Sequence, residues 1–165
     1  MIASRRVYYN GAVYYVTAQC QKGKRILSSE QAKGLFFDSL AKFKERFGFF
    51  LFAYVVLDDS VSIILQADER NNISKVMQAI LLSFSKKYQH RFGYKGRVWQ
   101  GRFESVLLNK EHEVVRYIRF IHFSPVLVEA ARTPKEYKWS SAMFYGNGKV
   151  ADKTGMPLID RYIYG

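Results

Sequence analysis

Phe49 to Leu57 reads FFLFAYVVL, an uncharged run rich in aromatic and β-branched residues, and it is followed by Asp58, Asp59 and a second apolar run from Val61 to Gln66. The first run is too short to cross a bilayer and too apolar to lie on a surface, so it reads as a buried strand. The two aspartates supply a turn, and the second run returns antiparallel as its partner. A hairpin buried at the centre of the fold is the frame to which the rest of the chain must attach.

Elements on either side follow from periodicity and caps. Val13 to Thr17 (VYYVT) is a first strand near the N-terminus. Ser28 or Ser29 can cap a helix from about Glu30 to Phe47, with Leu35, Phe36, Leu40, Phe43 and Phe47 on its apolar face and Gly48 as its stop. Asn71 or Asn72 caps a second helix reaching about Phe92, where Ile73, Val76, Met77, Ile80, Leu81, Phe84 and Tyr88 recur at helical spacing. Glu104 to Leu108 is a fourth strand, and Glu111 to Phe123 a third helix ended by Pro125. The order β-α-β-β-α-β-α predicts an α+β domain, ferredoxin-like in outline, in which helices pack on one face of an antiparallel sheet. Residues 1–145 form that domain, and residues 146–165 read as a C-terminal tail.

Charge points to the partner. The chain carries 26 Lys and Arg against 14 Asp and Glu, a formal net charge of +12. Solubility needs far less, and a polyanion would relieve the self-repulsion. Between Lys86 and Arg102 lie Lys86, Lys87, Arg91, Lys95, Arg97 and Arg102 without an acidic residue, interleaved with Tyr88, Phe92, Tyr94 and Trp99. Cations beside stacking-capable rings suit nucleic acid. Glycines at 93, 96 and 101 interrupt any amphipathic helix there, which disfavours a membrane surface. Cys20 is the only cysteine, no Cys/His cluster has zinc spacing, and the N-terminus has no secretory pattern, so a reducing, cytoplasmic setting is expected.

Five segments, in this order and spacing, resemble the REP-associated tyrosine transposases, a branch of the single-tyrosine HUH transposases. They are GAVYYVTAQ, FAYVVLDDSVSIIL, GRVWQGRFES, YIRFIHFSPV and EYKWSS. The resemblance implies a domain that cuts single-stranded DNA beside hairpins, with Mg or Mn held by two histidines and a tyrosine attacking the scissile phosphorus. His-x-His on a strand would put both imidazoles on one face, since side chains alternate with period two. The metal would polarise the phosphate.

The departures fall at that centre. Where the resemblance calls for YVVMPNHVHLLL, this chain has YVVLDDSVSIIL, which places Ser60 and Ser62 at the metal-histidine positions. Two neutral hydroxyls are weak donors for a divalent ion, and Asp58 is the one nearby carboxylate of matching parity. The tyrosine nucleophile falls on Phe120, which has no oxygen to attack with, and the metal-shell asparagine falls on Ser124. Tyr117, about 4.5 Å earlier along the helix, is the fallback nucleophile, yet its one-turn partner is Ile121. A histidine of the first strand is replaced by Tyr15. His122 matches a family histidine and reads as structural or phosphate-contacting, whereas His90 and His112 define no site.

The favoured reading is a transposase-derived protein that binds hairpin or single-stranded DNA without strand cleavage and without a cofactor. Its contacts would come from Arg5 and Arg6 in the N-terminal arm, from the Lys86 to Arg102 cations, and from Arg116 and Arg119 on the third helix. Trp99 and Phe103 either seal the core or face the ligand. An active transposase or nuclease using Tyr117 and an altered metal site is the alternative, and RNA binding is a third. The family includes monomers and dimers, so a homodimer stays open.

Overall fold

The structure, a computed structural model, describes Tyr9, residues 11–68, residues 70–145 and Asp160. Arg5 and Arg6 lie outside the described residues, as does the predicted tail apart from Asp160. The chain runs β1 (Val13–Gln19), α1 (Glu30–Phe47), β2 (Phe50–Val56), β3 (Ser60–Gln66), α2 (Ile73–Phe92), β4 (Glu104–Leu108) and α3 (Glu111–Leu127). Two short 3-10 turns follow, at Pro134–Glu136 and Ser141–Phe144. The four strands form one sheet in the order β2-β3-β1-β4, with every neighbouring pair antiparallel.

Strand parity sorts the core into two layers. Tyr14, Val16 and Ala18 of β1 and Val61, Ile63 and Leu65 of β3 point to one face, where Phe36 and Leu40 of α1 and Met77, Ile80 and Phe84 of α2 cover them. Helices on one face is thus the arrangement of α1 and α2. The third helix takes the opposite face, where Val114, Ile118 and Ile121 pack on Phe52, Val55 and Ile64. A sheet apolar on both sides needs both covers, because one helix layer buries only one of its faces.

Local chemistry sets the helix ends. The Ser29 side chain accepts from Ala32 N at 3.1 Å and Asn72 accepts from Lys75 N at 3.0 Å, each satisfying a first-turn N–H. Gly48 and Gly93 close α1 and α2 at φ of 68° and 59°, a conformation that costs a Cβ-bearing residue free energy. At α3, the Glu113 carboxylate accepts from the N–H groups of Asn109 and Lys110 at 2.8 and 3.0 Å. Contrary to expectation, α3 does not stop at Pro125 but continues to Leu127. Pro125 cannot donate to the Ile121 carbonyl, and the Ser124 hydroxyl donates there instead, at 2.7 Å.

The outer edge of β2 is closed by the segment after α3. Val56 N donates to the Trp139 carbonyl at 2.9 Å, and Tyr137 OH donates to the Val56 carbonyl at 2.7 Å. Tyr54 N donates to Ser141 Oγ at 3.0 Å, and Tyr145 OH donates to the Phe52 carbonyl. Asp160 brackets Leu51, its N–H donating to the Leu51 carbonyl at 2.8 Å and its carboxylate accepting from Leu51 N at 2.9 Å. Trp139 packs its ring 5.4 Å from that of Phe37, and Ser140 caps the turn that follows.

Candidate nucleic-acid interface

Pairing register gathers the substituted positions on one patch of sheet. Thr17 lies opposite Ser62 and Gln19 opposite Ser60, so both serines face the same side as Tyr15 and Thr17, the side that α3 covers. Ser62 Oγ is 3.4 Å from Tyr15 OH and 3.4 Å from Thr17 Oγ1. The Tyr15 ring in turn lies 4.8 Å from that of Tyr117 and 6.3 Å from that of Phe120. Tyr15 therefore links Ser62 to the two α3 residues between which the sequence had to choose a nucleophile position. The hydroxyl of Ser124 is committed to the Ile121 carbonyl.

Asp58 does not join this patch. Its carboxylate pairs with Arg25 and, at 2.7 Å, with Lys33, whose ammonium also donates to the Leu27 carbonyl at 2.7 Å. Burial would raise the Asp58 pKa, but hydrogen bonds and charge from Lys33 and Arg25 together hold the carboxyl below its ordinary value. The donors around Ser62 are the neutral hydroxyls of Tyr15 and Thr17, with Glu104 beyond Thr17 on β4, a set that does not fit a hard divalent ion preferring several carboxylate oxygens or imidazoles. Among the described residues, no cluster of three or more His, Cys, Asp or Glu side chains is placed to hold a metal.

Of the two histidines of α3, His122 is part of the core. His122 Nε2 lies 2.6 Å from Ser141 Oγ, and its ring is 4.8 Å from that of Tyr145. Ser141 has a single proton, already within reach of the Tyr54 carbonyl at 3.3 Å, so the network closes when His122 carries its proton on Nε2. Desolvation pushes the His122 pKa down to about 4.

The cations between Lys86 and Arg102 divide into two groups. Arg91, Lys95, Arg97 and Arg102 are exposed on the end of α2 and the loop beyond it. That loop is sewn to the end of β1, with Gln21 N donating to the Val98 carbonyl at 2.8 Å and Gln100 N to the Gln19 carbonyl at 2.9 Å. Its shape is further held by Gln89 Nε2 donating to the Gly96 carbonyl at 3.0 Å. The loop cations therefore project from the end of the sheet where Ser60 and Gln19 sit. Among the described residues none of them pairs with a carboxylate. Trp99 and Phe103, by contrast, are core: Trp99 is buried beside Phe36 and Phe84, and its Nε1 donates to the Leu81 carbonyl at 3.1 Å.

Lys86 and Lys87 instead line a groove of about 790 Å³ between α1 and α2, together with Lys42, Arg46 and Lys75. These last three are cations that sequence reasoning missed. The i, i+4 spacing of Lys42 and Arg46 marked one helix face, but only the α1/α2 contact brings it to the lysines of α2. Their charged ends lie over the Phe43 and Phe47 rings at 5.3 to 5.6 Å, stems on apolar surface and heads in water. Arg116 and Arg119 share a second shallow groove, of about 760 Å³, with Glu111, His112 and Val115.

A family model described as "Transposase IS200 like" matches residues 9–120, from just before β1 to the middle of α3. A solved structure of a REP-associated tyrosine transposase bound to a REP hairpin superimposes with a TM-score of 0.74 at 20% identity, over 99% of this chain and 100% of that one. A putative transposase from Deinococcus radiodurans superimposes with a TM-score of 0.51 at 21% identity, over 73% of this chain and 95% of that one. Among curated proteins, none matches. No helix of the described residues is long and apolar enough to cross a membrane.

Proposed function

The chain belongs to the IS200-like transposase family, and from that premise we propose that it binds hairpin or single-stranded DNA in the cytoplasm without cutting it. The observation that carries the reading is the side-chain set around Tyr15. Ser62 lies against its hydroxyl and in turn against Thr17, Tyr117 and Phe120 lean on its ring, and the Asp58 carboxylate is tied up with Lys33 and Arg25. Strand cleavage by this family needs a metal and an in-line oxygen nucleophile. Phe120 offers none, and the hydroxyl set around Ser60 and Ser62 is a poor seat for an ion.

Binding asks for less. Arg91, Lys95, Arg97 and Arg102 are unpaired among the described residues and sit on the end of α2 and on the pinned loop beyond it, so little ordering entropy opposes phosphate contacts. Five cations and no acidic residue along the α1/α2 groove extend that surface. The hairpin carried by the REP-associated transposase of the same fold supports a hairpin as the ligand here.

The test is a labelled hairpin oligonucleotide with single-stranded flanks, incubated with Mg²⁺ or Mn²⁺. The expected result is a selective mobility shift at moderate salt with no covalent adduct, and Phe120→Tyr alone leaves the DNA intact. A covalent adduct abolished by Tyr117→Phe would overturn the loss of cleavage. Preference for RNA of the same sequence would overturn the choice of DNA, and the stoichiometry of the shifted complex tells one copy from two.

A further inference from the structure

Helix α3 lies mainly over β2, reaches β3 and the Leu108 end of β4, and, among the described residues, leaves the other end of β1 and β4 bare on that face. Register places Tyr15 opposite Val106 and Thr17 opposite Glu104, so this floor is built from Tyr15, Thr17, Ser62 and Val106, with Glu104 at its rim. Val106 is 42% exposed, unusual for an apolar strand residue beside a packed helix. The wall is the flank of α3, where Tyr117 packs on Tyr15 and Phe120 stands 51% exposed against the edge of the same ring.

We propose that this shelf is a binding site for one unpaired nucleobase. The chemistry separates the parts of a nucleotide. Among the described residues a phosphate would find no cation on the floor and would be repelled by Glu104, while the guanidinium of Arg116 is held over the Tyr117 ring on the wall. A base is neutral, flat and edged with donors and acceptors. Phe120 and Tyr15 offer ring surface for stacking, Val106 offers apolar contact, and the hydroxyls of Ser62 and Thr17 can exchange hydrogen bonds with a base edge. The same substitutions that strip the patch of metal donors thus leave it suited to a different part of the same polymer.

Continuity supports the occupant. The loop carrying Lys95, Arg97 and Arg102 joins the sheet at this end through the Cys20 and Trp99 pairing, and Arg102 lies two residues before Glu104. A single strand whose phosphates follow the loop has its next bases beside the shelf. The inference rests on the DNA-binding reading above, naming the part of the flank that is held.

The experiment uses the full chain and hairpins whose flanking bases are replaced one at a time by 2-aminopurine, whose fluorescence falls on stacking. Binding is expected to quench one flank position. Phe120→Ala is expected to relieve that quench and to lower affinity for the flanked hairpin about ten-fold, to that of a hairpin without flanks. Val106→Glu, which charges the floor at an exposed position, should do the same. If the flankless hairpin binds as tightly as the flanked one and no position is quenched, the base site is overturned and DNA binding stands. If neither oligonucleotide binds, both fall.

Discussion

Lys33 Nζ lies 2.7 Å from Asp58 Oδ1, with the lysine only 5% exposed and the aspartate on the turn of the central hairpin. The pair ties the start of α1 to the β2–β3 turn, and it takes the Asp58 carboxylate out of reach of the β3 serines. Replacing Asp58 by Asn leaves a buried ammonium with only the Leu27 carbonyl. A loss of about 1–3 kcal/mol is expected by urea denaturation, below the full cost of breaking a buried pair because the aspartate is partly solvated. Since the folded carboxyl titrates below its ordinary value, its contribution is complete above about pH 4 and is lost as pH falls further. Asp58→Asn should flatten that acid limb.

His122 works in a different window. Burial pushes its pKa down to about 4, while the unfolded chain titrates near 6.5, so the unfolded state binds more protons between the two. Stability is full above about pH 6.5 and falls as pH drops towards 4, by up to roughly 3 kcal/mol. Thermal melts of the native chain and of His122→Gln across this range check it: the variant starts less stable and lacks the slope.

Trp99 separates packing from recognition. Trp99→Phe leaves the Leu81 carbonyl without its indole donor and should cost about 1–2 kcal/mol, and Trp99→Ala about 3–5 kcal/mol. Hairpin affinity of the folded fraction should stay the same in both, because the ring faces Phe36 and Phe84 and away from solvent.

The loop cations should show in the salt dependence. Changing Lys95, Arg97 and Arg102 to Gln together is expected to reduce the slope of log affinity against log salt by about 2, at roughly 0.7 for each phosphate contact to a single strand. A titration of hairpin binding over a range of NaCl concentrations measures it. An unchanged slope would place the phosphates elsewhere, with the α1/α2 groove next to be tested through Lys42, Arg46 and Lys75.

Much of this architecture was legible in the sequence because it rests on local rules. The hairpin follows from two apolar runs around paired aspartates, and α1 and α2 begin and end at caps that can be read directly. Where the structure differs, a single side chain decides. Pro125 looked like a stop, and the Ser124 hydroxyl that replaces its missing N–H lets the helix run on. The site was legible in its positions and not in its contacts. Parity places Ser60 and Ser62 on one face, but that Tyr15 joins Ser62 to Tyr117 and Phe120 depends on where α3 lies across the sheet. The same holds for the α1/α2 groove, since helical spacing orders cations along one helix and says nothing about its neighbour.

The closure of β2 has a consequence for how molecules of this protein meet. Ser141, Tyr145 and Tyr137 satisfy much of the β2 backbone with hydroxyls, beside single backbone bonds to Trp139 and from Asp160, and neither a hydroxyl nor an isolated bridge presents a continuous row of amides behind it. Closure therefore ends the sheet on that side without templating another strand, and two copies cannot zip together there. Where charge concentrates copies along a polyanion, as proposed above, this closed edge offers them no strand to polymerise through.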